Sequence, residues 1–167
     1  MFLFALFLIV MLVNSCGTVM YTSSGIYKSH SMVESIIEPI NKARTSGIMC
    51  GNEYYKAAPP VVWNEKLAQA SLQHSLDMAE NGFLSHKGSD GSDPGERLLM
   101  AGYRWSLYGE DVGQGYQAPE DAVRSWLKSK MHCKNIMNPE FKEAGAAYAR
   151  SGNLRTYWTL VLGTPGK

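Results

Sequence analysis

Two apolar segments near the C-terminus, AGAAYAR (144–150) and LRTYWTLVLG (154–163), flank Ser151-Gly152-Asn153, and this pair constrains the fold more than any other feature of the chain. Alternating apolar runs around a short Ser-Gly-Asn break read as a β-hairpin. In the second run Leu154, Thr156, Trp158, Leu160 and Leu162 fall on one face, because successive strand residues point to opposite sides.

The upstream sequence supplies helices to lie on that sheet. Ser31 and Glu34 form a capping-box pattern, and Val33, Ile36, Ile37 and Ile40 follow at helical spacing. This helix is expected to run to about Thr45 and stop at Gly47, with Pro39 placed to bend it. Residues 51–62, with Pro59-Pro60, read as an extended connection. Asn64 caps a second helix whose predicted buried stripe is Leu67, Ala68, Leu72, Leu76 and Ala79, ending at Asn81-Gly82. A polar loop carrying His86 leads to a short helix, capped by Asp93, with Pro94 at its first position, Glu96 completing the box and Gly102 at its end. The glycine-rich LYGEDVGQGY is read as turn geometry rather than ligand contact, since it lacks the lysine of a phosphate cradle. Pro119 opens a third main helix that turns Val123, Trp126 and Leu127 inward. Helices around a small antiparallel sheet make an α+β layered domain.

The first thirteen residues, MFLFALFLIVMLV, are uncharged and almost wholly apolar. A spanning helix needs about 20 such residues, so this run has the length of a signal-peptide core rather than of an anchor. The VNSC string that follows resembles the lipobox of bacterial lipoproteins, which implies a lipid on Cys16, although no Lys or Arg precedes the apolar run. Residues 1–15 are therefore expected to be a lipoprotein-type signal peptide, 16–30 a polar tether, and 31–167 one domain. The chain is then expected at the cell envelope as a membrane-anchored lipoprotein, or otherwise secreted.

Three cysteines are an odd number for an exported chain. With Cys16 lipidated, Cys50 and Cys133 remain, either bridged or as two buried thiols. A bridge would close a long loop, worth roughly 4–5 kcal/mol on the chain-entropy argument. A zinc site using Cys133 with its neighbour His132 is disfavoured, because adjacent residues on a helix or strand point apart. A net charge of +1 leaves no electrostatic footprint for nucleic acid or an anionic surface.

No standard catalytic string occurs: there is no GxSxG, no HExxH and no Walker loop. Among the four histidines, His30 lies in the tether and His74 sits mid-helix beside the apolar stripe, a structural position. His86 and His132 fall at element ends in polar, turn-rich contexts, where functional groups concentrate. Glu110, between glycines and near Tyr108 and Tyr116, could orient an imidazole or share a metal with two of them.

Four strings together resemble the CAP superfamily (cysteine-rich secretory, antigen 5, pathogenesis-related 1; the SCP domain), in its bacterial secreted branch. They are INKAR (40–44), PPVVWNEKLAQASLQHSLDMAENGFLSHKGSDGSDPGERLLMAGY (59–103), YGEDVGQGYQAPEDAVRSWLKSKMHCKNIMNPEFKEAG (108–145) and YWTLVLG (157–163). The resemblance implies a three-layer α-β-α sandwich with a groove lined by His86, Glu110 and His132. It also implies the Cys50–Cys133 pairing and, in some members, a bound divalent metal such as zinc. The chain departs from the pattern at Asp111, where relatives have asparagine, and at Ser129-Lys130-Met131, where many have Ser-Pro-Gly. The second helix glutamate of many eukaryotic members, after Trp126, has no counterpart, so a four-residue His-Glu-Glu-His site does not carry over intact. Glu96 lies in the right region to supply a carboxylate, but its capping role takes precedence, and Lys130 beside His132 would oppose a bound cation.

The reading that follows is a binding module whose groove takes a small molecule, lipid or peptide. The alternatives are a zinc-dependent hydrolase using His86, Glu110 and His132, and a cell-envelope scaffold or adhesin. Ser85 and Ser89 lie near His86 but in no motif that would activate them as nucleophiles.

Overall fold

The computed structural model describes residues 30–167; the expected signal peptide, the lipidation site Cys16 and most of the tether lie outside the described residues. The chain forms the expected α+β three-layer sandwich. Its elements in order are α1 (His30–Ser46), β1 (Ile48–Cys50), β2 (Glu53–Tyr55), β3 (Val62–Trp63), α2 (Glu65–Asn81), α3 (Pro94–Met100), β4 (Trp105–Gln114), α4 (Pro119–Lys128), α5 (Lys130–Ile136), β5 (Glu143–Arg150) and β6 (Thr156–Pro165). The central sheet has the order β3-β5-β6-β4, antiparallel except for the parallel β3–β5 pair, and β1 and β2 form a separate two-stranded ribbon. None of the described helices is long and apolar enough to cross a membrane.

One face of the sheet packs on α1, α4 and α5 through Ile36, Ile40, Val123, Trp126 and Ile136, which meet Trp158, Leu160 and Leu162 of β6. The other face packs on α2 and α3, where Leu67, Ala70 and Leu98 surround Val161. Residues 156–163 of β6 are consequently buried on both faces, not on one. Leu154 is not in the strand: it sits in the turn at φ 65° and 71% exposed, because the connection closes over Ser151–Arg155 rather than over three residues.

The caps of α2 and α3 form as the sequence predicts, whereas Ser31, expected to cap the first helix, already lies within α1. Asn64 accepts from the amides of Lys66 and Leu67, Gly82 closes α2 in the left-handed conformation, and Asp93 and Glu96 make a reciprocal capping box on α3. The predicted stripe of α2 is rotated. Leu67, Ala70, Ser71, His74, Ser75 and Met78 face inward, while Leu72 and Leu76 are each 42% exposed. The reason is close approach. A side chain at Gly145 would collide with the α2 backbone at Leu67 and Ala68, so only small residues fit there. Ser71 and Ser75 donate to the carbonyls of Gly145 and Ala147, so their buried hydroxyls are satisfied.

LYGEDVGQGY is mainly strand, not turn. Gly109 and Gly113 flank Asp111 on the face toward α4 and α5, and a Cβ at either would strike Asn135 or Tyr116. Cys50 and Cys133 form the disulfide, joining β1 to α5 across 83 residues of sequence.

Arg44 is a fold determinant that the sequence did not announce. It is fully buried, and its guanidinium donates to the carbonyls of Pro59, Ile136, Asn138 and Phe141. That one side chain ties α1 to the connection before β3 and to the segment after α5.

Candidate functional site

The site lies along the edge strand β4. Alternation sends neighbouring carboxylates to opposite sides: Glu110 pairs with Val161 and points toward α2 and α3, whereas Asp111 pairs with Leu160 and points toward α5. Between the two, a cleft of about 550 Å³ is lined by His86, Glu110, Asp111, His132, Asn135 and Tyr55, among others.

Glu110 is committed on both oxygens. Its Oε1 accepts from His86 Nδ1 at 2.8 Å, and its Oε2 accepts from Arg97 at 2.8 Å, with the glutamate side chain only 3% exposed. The loop bearing His86 is pinned from beneath. His74 Nε2 donates to the Ser85 carbonyl at 2.7 Å, and Arg97 donates to the His86 carbonyl at 2.9 Å. His74 is thus structural, as expected from its place in α2, with burial holding its pKa down and Nδ1 left without a partner. His86, half exposed, is held in place through Nδ1, which leaves Nε2 uncommitted. The hydrogen bond to Glu110 holds its pKa up.

His132 reaches the cleft from α5. That helix follows α4 across Ser129 and turns Cys133 into the core and His132 outward, as neighbouring helical positions must. Partial burial, and then the charge on His86, lower the His132 pKa. Asp111 is 1% exposed; its Oδ1 accepts from Asn135 Nδ2 at 2.9 Å and its Oδ2 has no protein partner. Burial pushes its pKa up to about 8, so at neutral pH its carboxyl is mostly protonated.

The three residues expected to share the groove, His86, Glu110 and His132, do line one cleft. Glu96 does not join them: its carboxylate accepts from the Asp93 amide and caps α3. Arg97 and Asn135 were not foreseen. Each acts through a partner far away in sequence, and no local pattern marks either.

The donor set is not arranged as a metal centre. No group of three or more His, Cys, Asp or Glu side chains that could hold a metal ion occurs among the described residues. Glu110 Oε1 would have to give up its hydrogen bond to His86 to become a third ligand.

Residues 37–162 match the family model described as Cysteine-rich secretory protein family, CAP. The uncharacterized protein YkwD of Bacillus subtilis (strain 168) is 30% identical over 100 residues, which is 60% of this chain and 38% of YkwD. The chain thus matches well under half the length of that relative. An extracellular protein containing a SCP domain from Bacillus anthracis str. Ames superposes with a TM-score of 0.65 at 23% identity, over 80% of this chain and 40% of that one. An outer surface protein from Borrelia burgdorferi superposes with a TM-score of 0.67 at 15% identity, over 83% of this chain and 96% of its own. At these identities the two structures share the fold.

Proposed function

The chain belongs to the cysteine-rich secretory protein (CAP) family, and from that premise we propose that it is an exported binding module whose His86–His132 cleft takes a small-molecule, lipid or peptide ligand. The observation that carries this reading is the state of Glu110. A carboxylate 3% exposed, with one oxygen on His86 and the other on Arg97, serves to position an imidazole. Acting as a general base or third metal ligand through Oε1 would require it to give up its hydrogen bond to His86. A zinc-dependent hydrolase, the alternative the sequence suggests, would need that hydrogen bond broken before Glu110 could join His86 and His132.

The test is a calorimetric zinc titration of the metal-stripped, oxidised chain beside a His86→Ala/His132→Ala variant. A binding module is expected to take zinc weakly and to hydrolyse neither ester nor peptide with it. Tight one-to-one binding, lost in the variant and accompanied by metal-dependent turnover, would establish the hydrolase instead.

We also propose that the chain is held at the membrane by a lipid on Cys16. The VNSC string supports this, as does the surface or extracellular location named for the two superposed proteins. In cells fed an alkyne fatty acid, the wild-type protein should carry the label and Cys16→Ala should not. Equal labelling of both would sink the anchor.

A further inference from the structure

The cleft holds two carboxylates, and neither offers a free charge to a ligand. Glu110 is neutralised by Arg97 and hydrogen-bonded by His86. Asp111 is 1% exposed, and its Oδ1 accepts from Asn135 Nδ2. What the cleft presents instead are donors and cations. Lys134 lines it with an exposed ammonium one helical position beyond Cys133; His132 contributes a ring N–H; His86 contributes the ring edge left over from Glu110. A site whose acids are buried and whose accessible groups are positive or donating complements negative charge.

We infer that the ligand of this cleft carries an oxyanion, a phosphate or carboxylate group, seated between Lys134 and the imidazoles of His132 and His86. This rests on the binding-module reading and names the chemistry of its ligand. Lys134 is the charged partner, and the planar imidazoles supply direction. Arg97 is excluded from direct contact, since its guanidinium is spent on Glu110 and on the carbonyls of His86 and Ser92.

The experiment follows the imidazole resonances of the intact, oxidised chain by NMR during titration with inorganic phosphate, in parallel with Lys134→Gln. Lys134 is exposed and clear of the core, so the variant should keep the wild-type fold and melting temperature. Phosphate is expected to shift the His86 and His132 signals saturably, and Lys134→Gln to weaken that binding at least five-fold. Vesicles containing phosphatidylglycerol separate the sources. Competition with phosphate marks a lipid headgroup as the natural donor of the oxyanion, and indifference marks a soluble one. Linear, non-saturating shifts, or equal affinity in wild type and Lys134→Gln, would overturn the inference. A cleft that binds an uncharged probe such as N-acetylglycinamide and ignores phosphate would overturn the oxyanion while keeping the binding module. Zinc binding with turnover would remove the module itself.

Discussion

Asp111 is where the chain departs from the asparagine that its resemblance to the CAP family implies, and its surroundings suit an amide better than an acid. One oxygen accepts from Asn135, the other has no protein partner, and the side chain is almost wholly out of water. With a folded pKa of about 8 against an ordinary 3.8, the folded chain holds a proton that the unfolded chain releases. Stability from this group is therefore greatest below pH 4, falls as pH rises from about 4 to 8, and levels off above. Asp111→Asn should raise stability by about 3–5 kcal/mol at pH 8 and by almost nothing near pH 4. Urea denaturation across that range reads the difference, and a constant offset at every pH would refute the assignment. His86 has a similar sign in a different window, because its pKa is raised in the folded state by Glu110. Its contribution is present below its ordinary value and is lost as pH climbs through the raised one.

Arg97 acts at the same scale but through burial. With its side chain 7% exposed against a carboxylate at 3%, removing the guanidinium strands a charge in the protein. Arg97→Leu should cost about 3–5 kcal/mol, and much of that should return in Arg97→Leu/Glu110→Gln, where no uncompensated charge remains. Additive losses in that double-mutant cycle would show that the pair is not coupled. Glu110, His86 and His132 stood out in the sequence because they lie in polar, turn-rich segments and in strings that resemble the CAP family. Arg97 and Asn135 did not, because their partners are 13 and 24 residues away and meet them only across the fold.

At the scale of elements, local signals read well wherever they were chemical. The Asn64 cap, the Asp93–Glu96 box, the Gly47 and Gly82 stops and the Pro119 start all stand where the residues put them. Readings that depended on what lies opposite went astray. Helix α2 carries leucines at 72 and 76 on its outer side and serines at 71 and 75 on its inner side, where they donate to the β5 carbonyls of Gly145 and Ala147. Leu72→Gln/Leu76→Gln should therefore change stability by within about 0.5 kcal/mol for each substitution. Ala70→Leu, one helical position from Ser71 and 2% exposed, should cost about 1–3 kcal/mol. Thermal denaturation of both variants checks the orientation, and a reversed order would contradict it. The glycines of β4 misled in the same way. They signalled a turn in the sequence, but in the fold they clear space for Asn135 and Tyr116 beside a regular strand.

At the scale of the whole molecule, the disulfide and Arg44 perform related tasks at two sides of α5. Cys50–Cys133 fastens α5 to the β1 ribbon, and Arg44 gathers the carbonyls that follow it. His132 therefore sits on a short helix held from two directions. Cys50→Ser/Cys133→Ser should lose about 4–5 kcal/mol, the loop-closure value for 83 residues. It should also perturb the ring resonance of His132 more than that of His86, which hangs on Glu110 instead. Equal perturbation of both rings would place the bridge in global stability alone.

The sequence by itself determined the layers of this protein: amphipathic helices, a hairpin too apolar to stand alone, and most of their caps and stops. These follow from local chemistry and periodicity, which neighbouring residues carry. Tertiary structure alone decided which face of α2 is inside, that a glycine-rich run is a strand, and that both oxygens of Glu110 are already engaged. Those outcomes depend on pairings such as Gly145 with α2, Gly109 with Asn135 and Arg97 with Glu110. Each is a matter of distance between segments remote in the chain, and a one-dimensional pattern does not encode it.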